Sequence, residues 1–352
     1  RNKMEFSFGD EVKDGPMSLG MHKRGSFYDV VTTGECHIVH PDFCKILVCT
    51  KEYFEEKKVG FYKKMQHTGY LRHLLVRRAI KTGEILVDLI TTTQTDTFEG
   101  TEEALLRGWT ERLQALPMEG SFAGILHTKN DTLADAVKDE GTDILFGREH
   151  FYEELLGLRF QISPFSFFQT NSLGAEVLYE KTREYVGETK GKVVFDLYSG
   201  TGTIAQLLAS VAKEVIGVEL NRDAVKDAVI NAKRNNIKNE QFYNADAGKF
   251  MVELSEQNKK VDVVFMDPPR AGSDEAFLSS VVKLAPKKVV YVSCNPETLA
   301  RDLKYLTRHG YQAVECQPCD MFPFTKHVEC VCLLTKPHEA KHHVNATPDM
   351  DR

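Results

Sequence analysis

Cys294 stands where an apolar run ends. Val289-Val290-Tyr291-Val292-Ser293 reads as a buried strand that delivers the thiol to the edge of a sheet. Asn295 is a good helix N-cap, Pro296 suits the first helical position, and Glu297 favours the positive end of a helix expected over residues 296–307. The spacing predicts a thiol beside a helix N-terminus, a placement that lowers its pKa and favours the nucleophilic thiolate. Plain packing of a small apolar residue at a strand end would also use a cysteine here.

A second constellation runs Val193-Val194-Phe195-Asp196-Leu197-Tyr198-Ser199-Gly200-Thr201-Gly202-Thr203, a strand, a glycine turn and a helix start. Gly200 and Gly202 let the backbone approach a ligand, and Glu219, ending the next strand, can grip both hydroxyls of a ribose. Asp196 ends the strand before the turn, where a carboxylate would meet the amino group of a methionine moiety and repel a pyrophosphate. Asp246, just past the third strand, can hydrogen-bond an adenine amino group. These carboxylates favour S-adenosylmethionine over a nicotinamide cofactor, although Gly200, Gly202 and Ala205 also fit the looser dinucleotide fingerprint.

The third group is Asp267-Pro268-Pro269-Arg270, after a strand at 261–266, at the carboxyl edge where open α/β sheets place their sites. Asp267 can accept a hydrogen bond from a flat heterocycle. Many amino-methylating enzymes carry Asn there; Asp suits an N–H donor such as N3–H of uracil. Methylating C5 of uracil needs a nucleophile on C6, because C5 is barely nucleophilic, and then a base to remove the C5 proton. Cys294 is the candidate nucleophile and Glu329, in Thr325-Lys326-His327-Val328-Glu329, the candidate base.

The elements that must position these groups change character along the chain. Residues 1–160 read as a mixed α+β unit, with strands at 3–8, 18–22, 27–31, 85–92 and 123–127, helices at 41–53 and 101–116, and short strands at 144–146, 151–155 and 158–162. Strand and helix then alternate, as in a parallel sheet: strands at 193–197, 214–218, 241–243, 261–266 and 288–293, helices at 203–211, 222–235, 274–284 and 296–307. Two further strands, 311–319 and 327–336, leave no room for crossover helices and suit an antiparallel edge. The expected organisation is an α+β RNA-binding domain over 1–160, a catalytic domain over 161–336 with the seven-stranded, Rossmann-like fold of class I methyltransferases, and a polar tail over 337–352.

The chain has 352 residues, 42% hydrophobic, with a net charge of −6. No run approaches the roughly 20 apolar residues of a membrane span and no signal peptide opens the chain, so a cytoplasmic protein is expected, with nothing that demands a dimer. Arg1 rather than Met comes first and leads straight into a strand pattern, which predicts further sequence upstream. From Lys57 to Gly83 there are eight Lys or Arg and no Asp or Glu, with Phe61, Tyr62, His67, Tyr70 and His73 interleaved. Cations meet phosphates and rings stack on unpaired bases, so Lys63, Lys64, Arg72, Arg77 and Arg78 are candidate RNA contacts; a solvated charged face is the alternative.

At the glycine loop, the Asp-Pro-Pro-Arg turn, Ser293-Cys294-Asn295-Pro296-Glu297-Thr298-Leu299-Ala300-Arg301-Asp302 and the Phe322-Pro323…His327-Val328-Glu329 ending, the chain resembles the RNA uracil-C5 methyltransferase family, which modifies tRNA or 23S ribosomal RNA. The likeness is close over 160–336 and looser over 1–160. It implies Cys294 as nucleophile, Glu329 as proton acceptor, Asp267 as a contact to the target base, and Tyr198, Gly200, Glu219 and Asp246 as S-adenosylmethionine contacts. It further implies that Phe167 and Gln169 lie between base and cofactor. A catalytically silent RNA-binding factor is the competing class, against which intact Cys294, Asp267 and Glu329 argue.

Of the other cysteines, Cys316 and Cys319 have the spacing of half a metal site but no second pair at a suitable distance, and Cys330 and Cys332 share a strand face; reduced, packed thiols are expected for all four. In the ribosomal branch of the resembled family a [4Fe–4S] cluster takes three cysteines upstream and a fourth in a segment like Gly34-Glu35-Cys36-His37-Ile38. Cluster ligation needs four thiolates, so Cys36 is a fourth ligand only in a longer protein; the resemblance tilts the substrate toward 23S ribosomal RNA, and the chain as given is expected to be metal-free.

Overall fold

Two seven-stranded sheets carry the chain, one in each of the two units into which this computed structural model divides. It describes residues 1–133, 137, 139–257 and 260–337; residues 338–352 of the expected polar tail lie outside the described residues. The first unit takes in Arg1–Glu176, Thr201–Thr203 and Asp223–Ile237, the second Val177–Gly200, Ile204–Arg222 and the chain from Lys238 on.

In the first unit the strands are β1 (Lys3–Asp10), β2 (Met17–His22), β3 (Val30–Thr32), β4 (Leu71–Arg78), β5 (Glu84–Thr91), β6 (Ser121–Lys129) and β7 (Thr142–Gly147), ordered β3-β2-β1-β4-β5-β6-β7. Helices α1 (Pro41–Glu56) and α2 (Glu102–Gln114) place Phe43, Ile46, Phe54 and Trp109 in one core with Phe6, Leu74 and Val87 of the sheet. The apolar residues of α1 recur at helical spacing, Phe43, Ile46, Leu47, Thr50 and Phe54, so one stripe faces that core.

Strand β4 turns the arginines of the basic stretch away from the RNA-binding face expected of them, while Lys63 and Lys64 lie before it and stay partly exposed. It lies between β1 and β5, and all eight of its residues are buried. Arg77 donates to the carbonyls of Ser163, Pro164 and Ser166 at 2.5, 3.1 and 2.9 Å. Burial lowers its pKa to about 10. Arg78 pairs with Asp42 at 3.0 Å, and Arg72 donates to Asn130 O and Thr132 O, both at 2.7 Å. Lys63 bonds Asp14 at 2.9 Å and Lys64 reaches Phe27 O at 3.4 Å. Composition records the number of cations, whereas a central strand decides which way they face.

A hairpin of β8 (Phe151–Leu155) and β9 (Leu158–Ile162) follows, then α3 (Ser172–Val186), which the sequence reading lacked. Residues 161–176 and 223–237 group with residues 1–160 in the first unit. Of the later helices α4 is Thr203–Ala209 and α7 is Glu275–Leu284. Side chains of α5 (Arg222–Arg234) and of Asn235 just beyond it bond the backbone of β9, which ties them to that unit.

The second unit holds β10 (Thr189–Leu197), β11 (Ala212–Glu219), β12 (Glu240–Asn244), β13 (Val263–Met266), β14 (Lys288–Ser293), β15 (Gln312–Cys319) and β16 (Glu329–Thr335), in the order β12-β11-β10-β13-β14-β16-β15. The first five are parallel and β16 is antiparallel to both its neighbours. That is the Rossmann-like class I arrangement expected from the alternating pattern, with α6 (Ala247–Glu256) an addition to it. Phe277, Val281 and Met251 pack against Val264, Met266 and Tyr291 of the sheet. Cys316 faces Cys332 across the β15–β16 ladder and is joined to it in a disulfide, a correction to the expectation of reduced thiols. Spacing along one strand could not show it, because the partner comes from the next strand. Among the described residues no helix is long and apolar enough to cross a membrane.

Arg77→Met leaves three buried carbonyls without their donor, and we expect a loss of about 3 kcal/mol in urea unfolding. RNA affinity per folded molecule should not change; a selective loss of RNA binding with full stability would restore Arg77 to the RNA face.

Candidate active site

The register of two strands brings the thiol and its carboxylate together. Ser293 of β14 pairs antiparallel with Cys330 of β16, so the next residues along the ladder, Cys294 and Glu329, fall opposite each other. Glu329 is buried at 6% exposure and Cys294 is half-buried. Helix α8 (Pro296–Arg308) begins as expected: Asn295 is the N-cap, its side chain accepts from Glu297 N at 3.1 Å, and Pro296 opens the first turn.

Asp267 follows the carboxyl end of β13, the strand beside β14. The loop after it is held by α8 and β14. Asn295 Nδ2 and Thr298 Oγ1 donate to Arg270 O at 3.1 and 3.2 Å, and Arg301 donates to Ala271 O and Ser273 O, both at 3.0 Å. Buried Asp302 accepts from Ser273 N at 2.8 Å and from Tyr291 Oη at 2.6 Å. Gly272 has a φ of +73°, and a Cβ there would come within 2.6 Å of Arg301 and 2.8 Å of Asp302, so glycine is required. The exposed side chain of Arg270 donates to Nδ1 of His327 at 3.3 Å.

Charge in this group differs from the sequence expectation. Burial, and after it the negative charge of Glu329, push the Cys294 thiol above its ordinary value, while Arg270 acts in the opposite sense. The lowered thiol pKa expected from a place beside the start of α8 is therefore not found, because burial first and the Glu329 carboxylate second act against it. Burial raises Glu329 to about 7, opposed by Arg270. Burial and then Glu329 raise Asp267 to about 7 as well. Glu329 and the thiol thus both feel the cation of Arg270, to which the sequence reading gave no role. Its place directly after Asp267-Pro268-Pro269 was the available signal.

The glycine loop lies at the carboxyl ends of β10 and β11. Tyr198, Gly200 and Gly202 have φ of 69°, 53° and 74°, and a left-handed tyrosine is a local cost tolerated at ligand-binding turns. Glu219 accepts from Gly200 N at 2.9 Å and from Asn221 N at 2.7 Å, so it shapes the loop as well as lying beside it. Asp246 caps α6 by accepting from Lys249 N at 2.9 Å. Asp196 is fully buried, and neither of its carboxylate oxygens makes a hydrogen bond of ordinary geometry among the described residues, although the Ala205 backbone N–H is close enough to favour its charge. Burial first, then the charge of Asp267, hold its pKa well above the usual carboxylate range. A buried carboxylate without a hydrogen bond of ordinary geometry calls for a cation, and the ammonium of a methionine moiety fits that need.

Phe167 and Gln169 belong to the first unit: Phe167 is 69% exposed, and the Gln169 carbonyl accepts from Asn2 Nδ2 at 3.0 Å. Cys36 has Cys44 near it, whose thiol reaches Cys36 O at 3.7 Å. Among the described residues no group of three or more His, Cys, Asp or Glu could hold a metal ion.

Residues 137–337 match the model of the tRNA (uracil-5-)-methyltransferase family. A Clostridium tetani protein named as an uncharacterized RNA methyltransferase is 48% identical over 331 residues, 94% of this chain and 70% of its own. One so named from Caldanaerobacter subterraneus is 46% identical, over 96% of this chain and 72% of its own. The crystal structure of Pyrococcus abyssi tRNA (uracil-54, C5)-methyltransferase in complex with S-adenosyl-L-homocysteine superposes with a TM-score of 0.75 at 31% identity, covering 95% of this chain and 76% of that one. The chain belongs to the RNA uracil-C5 methyltransferase family.

Glu329→Gln removes a buried charge and its effect on the thiol. Folded Glu329 holds its proton up to about pH 7, against an ordinary value of 4.5, so stability falls as pH rises between those values and stays lower above them. We expect the variant to be about 1–3 kcal/mol more stable than the wild type at pH 8 and equal to it near pH 4 in urea unfolding. Iodoacetamide should alkylate its Cys294 faster at pH 8; an unchanged rate would show that the two groups do not interact.

Proposed function

We propose that this chain uses S-adenosylmethionine to methylate C5 of a uridine in RNA through a covalent bond between Cys294 Sγ and C6 of the base, giving 5-methyluridine. The observation that carries this reading is the β14–β16 register, which sets a nucleophile opposite a buried base. Asp196 would take the ammonium of the methyl donor, Glu219 its ribose hydroxyls and Asp246 its adenine amino group, with the glycine turn of Tyr198, Gly200 and Gly202 closing around it. Bound there, S-adenosylmethionine supplies an electrophilic methyl group.

The chain's own residues do the rest. Asp267 accepts a hydrogen bond from N3–H and fixes the ring. Phe167 and Gln169 act at the base, as the family resemblance implies. Cys294 loses its proton to solvent, and its thiolate adds to C6, pushing electrons onto the ring so that C5 becomes nucleophilic. After methyl transfer Glu329 removes the C5 proton, electrons return to the ring and the C6–S bond breaks. A base poised near 7 holds that proton long enough to break the adduct and then releases it to solvent. Arg270 stabilises the thiolate and the charge developing on the ring oxygen.

For the RNA, Cys36 supports 23S ribosomal RNA, since its segment resembles the fourth cluster-ligand segment of the ribosomal branch. The likeness to the Pyrococcus abyssi enzyme supports uridine 54 of tRNA as the alternative. Mapping 5-methyluridine by mass in RNA from cells lacking the gene separates the two.

RNA carrying 5-fluorouridine cannot lose fluorine as a proton and should trap a covalent complex, seen as a shifted band in denaturing gels. Cys294→Ala should abolish it; an adduct that survives would sink the assignment. Asp196→Ala should weaken S-adenosylmethionine binding more than tenfold in isothermal titration while the protein stays folded.

A further inference from the structure

Of the basic residues singled out in the sequence Arg72, Arg77 and Arg78 are buried, and the first unit carries another cationic cluster, assembled from segments far apart in the chain. Asn231 on α5 accepts from Gln161 N at 2.7 Å and donates to Gln161 O at 3.2 Å. Asn235 does the same with Arg159, at 3.0 and 3.1 Å. Four residues along a helix advance about 6 Å and two along a strand about 6.6 Å, so the two asparagines meet alternate backbone positions of β9 as a neighbouring strand would. The helix end is thereby fixed beside the hairpin. The Cζ atoms of Arg159, Arg234 and Arg148 lie 4.3, 4.6 and 5.1 Å from the centre of the Tyr152 ring. His150 Nε2 is 3.2 Å from Tyr152 Oη.

These cations are not all balanced. Arg148 pairs with Glu84 at 2.6 Å. Arg234 donates to Gln161 Oε1 at 2.7 Å. Among the described residues neither Arg159 nor Arg234 has a carboxylate within 4.0 Å, although Glu154 faces Arg159 across the hairpin and Glu149 is exposed nearby. Both guanidinium groups are on exposed residues, each held in place by the ring, and each keeps donors to spare. Two like charges gathered on one ring are unfavourable unless an anion joins them, and a planar fork of N–H donors suits the paired oxygens of a phosphodiester.

We infer that Arg159 and Arg234, positioned by Tyr152 and by the asparagine ladder from Asn231 and Asn235, form a phosphate-binding surface for the RNA strand. The inference rests on RNA being the substrate proposed above. It is a backbone contact: it carries affinity and salt dependence and reads no base.

The test uses the whole chain and fluorescein-labelled polyuridylate, with fluorescence anisotropy followed from about 50 to 200 mM salt. Each single-strand phosphate contact contributes about 0.7 to the slope of log affinity against log salt. Arg159→Gln and Arg234→Gln should each lower the slope by about that amount and weaken binding several-fold, and the double variant should lose about twice as much. Arg159→Lys and Arg234→Lys should keep the slope. Thermal unfolding of the single variants checks that the hairpin is intact, since neither substitution touches the asparagine bonds. An unchanged slope and affinity in the folded double variant overturns the inference. So does unchanged polyuridylate binding with lost binding to polyglutamate, which would assign the surface to an acidic protein. A wild-type protein that makes no 5-methyluridine, yet loses salt slope in these variants, would sink the proposed reaction and leave the phosphate surface standing.

Discussion

The antiparallel pairing of β16 with β14 is the constraint on which the reaction centre depends. In a purely parallel sheet every carboxyl end would lie at one edge, and a second strand could present a residue there only from its own end. Reversing one strand lets its beginning meet the end of its neighbour, so Glu329 enters the site from the opposite chain direction to Cys294. A one-residue slip would exchange Glu329 for Val328 or Cys330 and turn the carboxylate to the other face of the sheet. The buried apolar residues of both strands, Val290, Val292, Val331 and Leu334, resist that slip, so core packing and catalytic geometry are set by the same side chains.

That arrangement creates an electrostatic tension. Glu329 and Asp267 are both raised to about 7, and the nearby thiol is raised too. Negative charges crowded into a half-buried site oppose one another, with Arg270 the cation that opposes them. In the reaction proposed above, a neutral, hydrogen-bonding ring would ease that crowding, because its N–H would reach Asp267 and the thiol's charge would move onto carbon. The loop bearing Arg270 is accordingly fixed from both sides, by the backbone bonds to Asn295 and Thr298 and by the Tyr291–Asp302–Ser273 chain.

Much of this was legible in the sequence because it is local. The N-cap at Asn295, the glycine turn and the alternation of strand and helix each arise from residues a few positions apart. The antiparallel ending followed from connections too short for a helix. What stayed hidden was long-range. The pKa of Cys294 goes up, not down, first because the thiol is partly buried and then because a carboxylate arrives from another strand. Arg72, Arg77 and Arg78 looked like an RNA face because their charges cluster in the chain, yet a central strand turns them inward; the apolar Leu74-Leu75-Val76 between them was the overlooked sign. The cluster at Tyr152 draws on Arg148, Arg159 and Arg234, which no window of sequence brings together.

The position of β16 also fixes an order of events during synthesis. It lies between β14 and β15 in the sheet but follows both in the chain. Until its residues leave the ribosome, β14 has an open edge and β15 has no partner. Cys294 is therefore synthesised before the strand that carries Glu329, and the sheet has all its pairings only once β16 is in place. A chain cut short before β16 would keep the thiol and lose both the carboxylate opposite it and the β14–β16 and β15–β16 pairings.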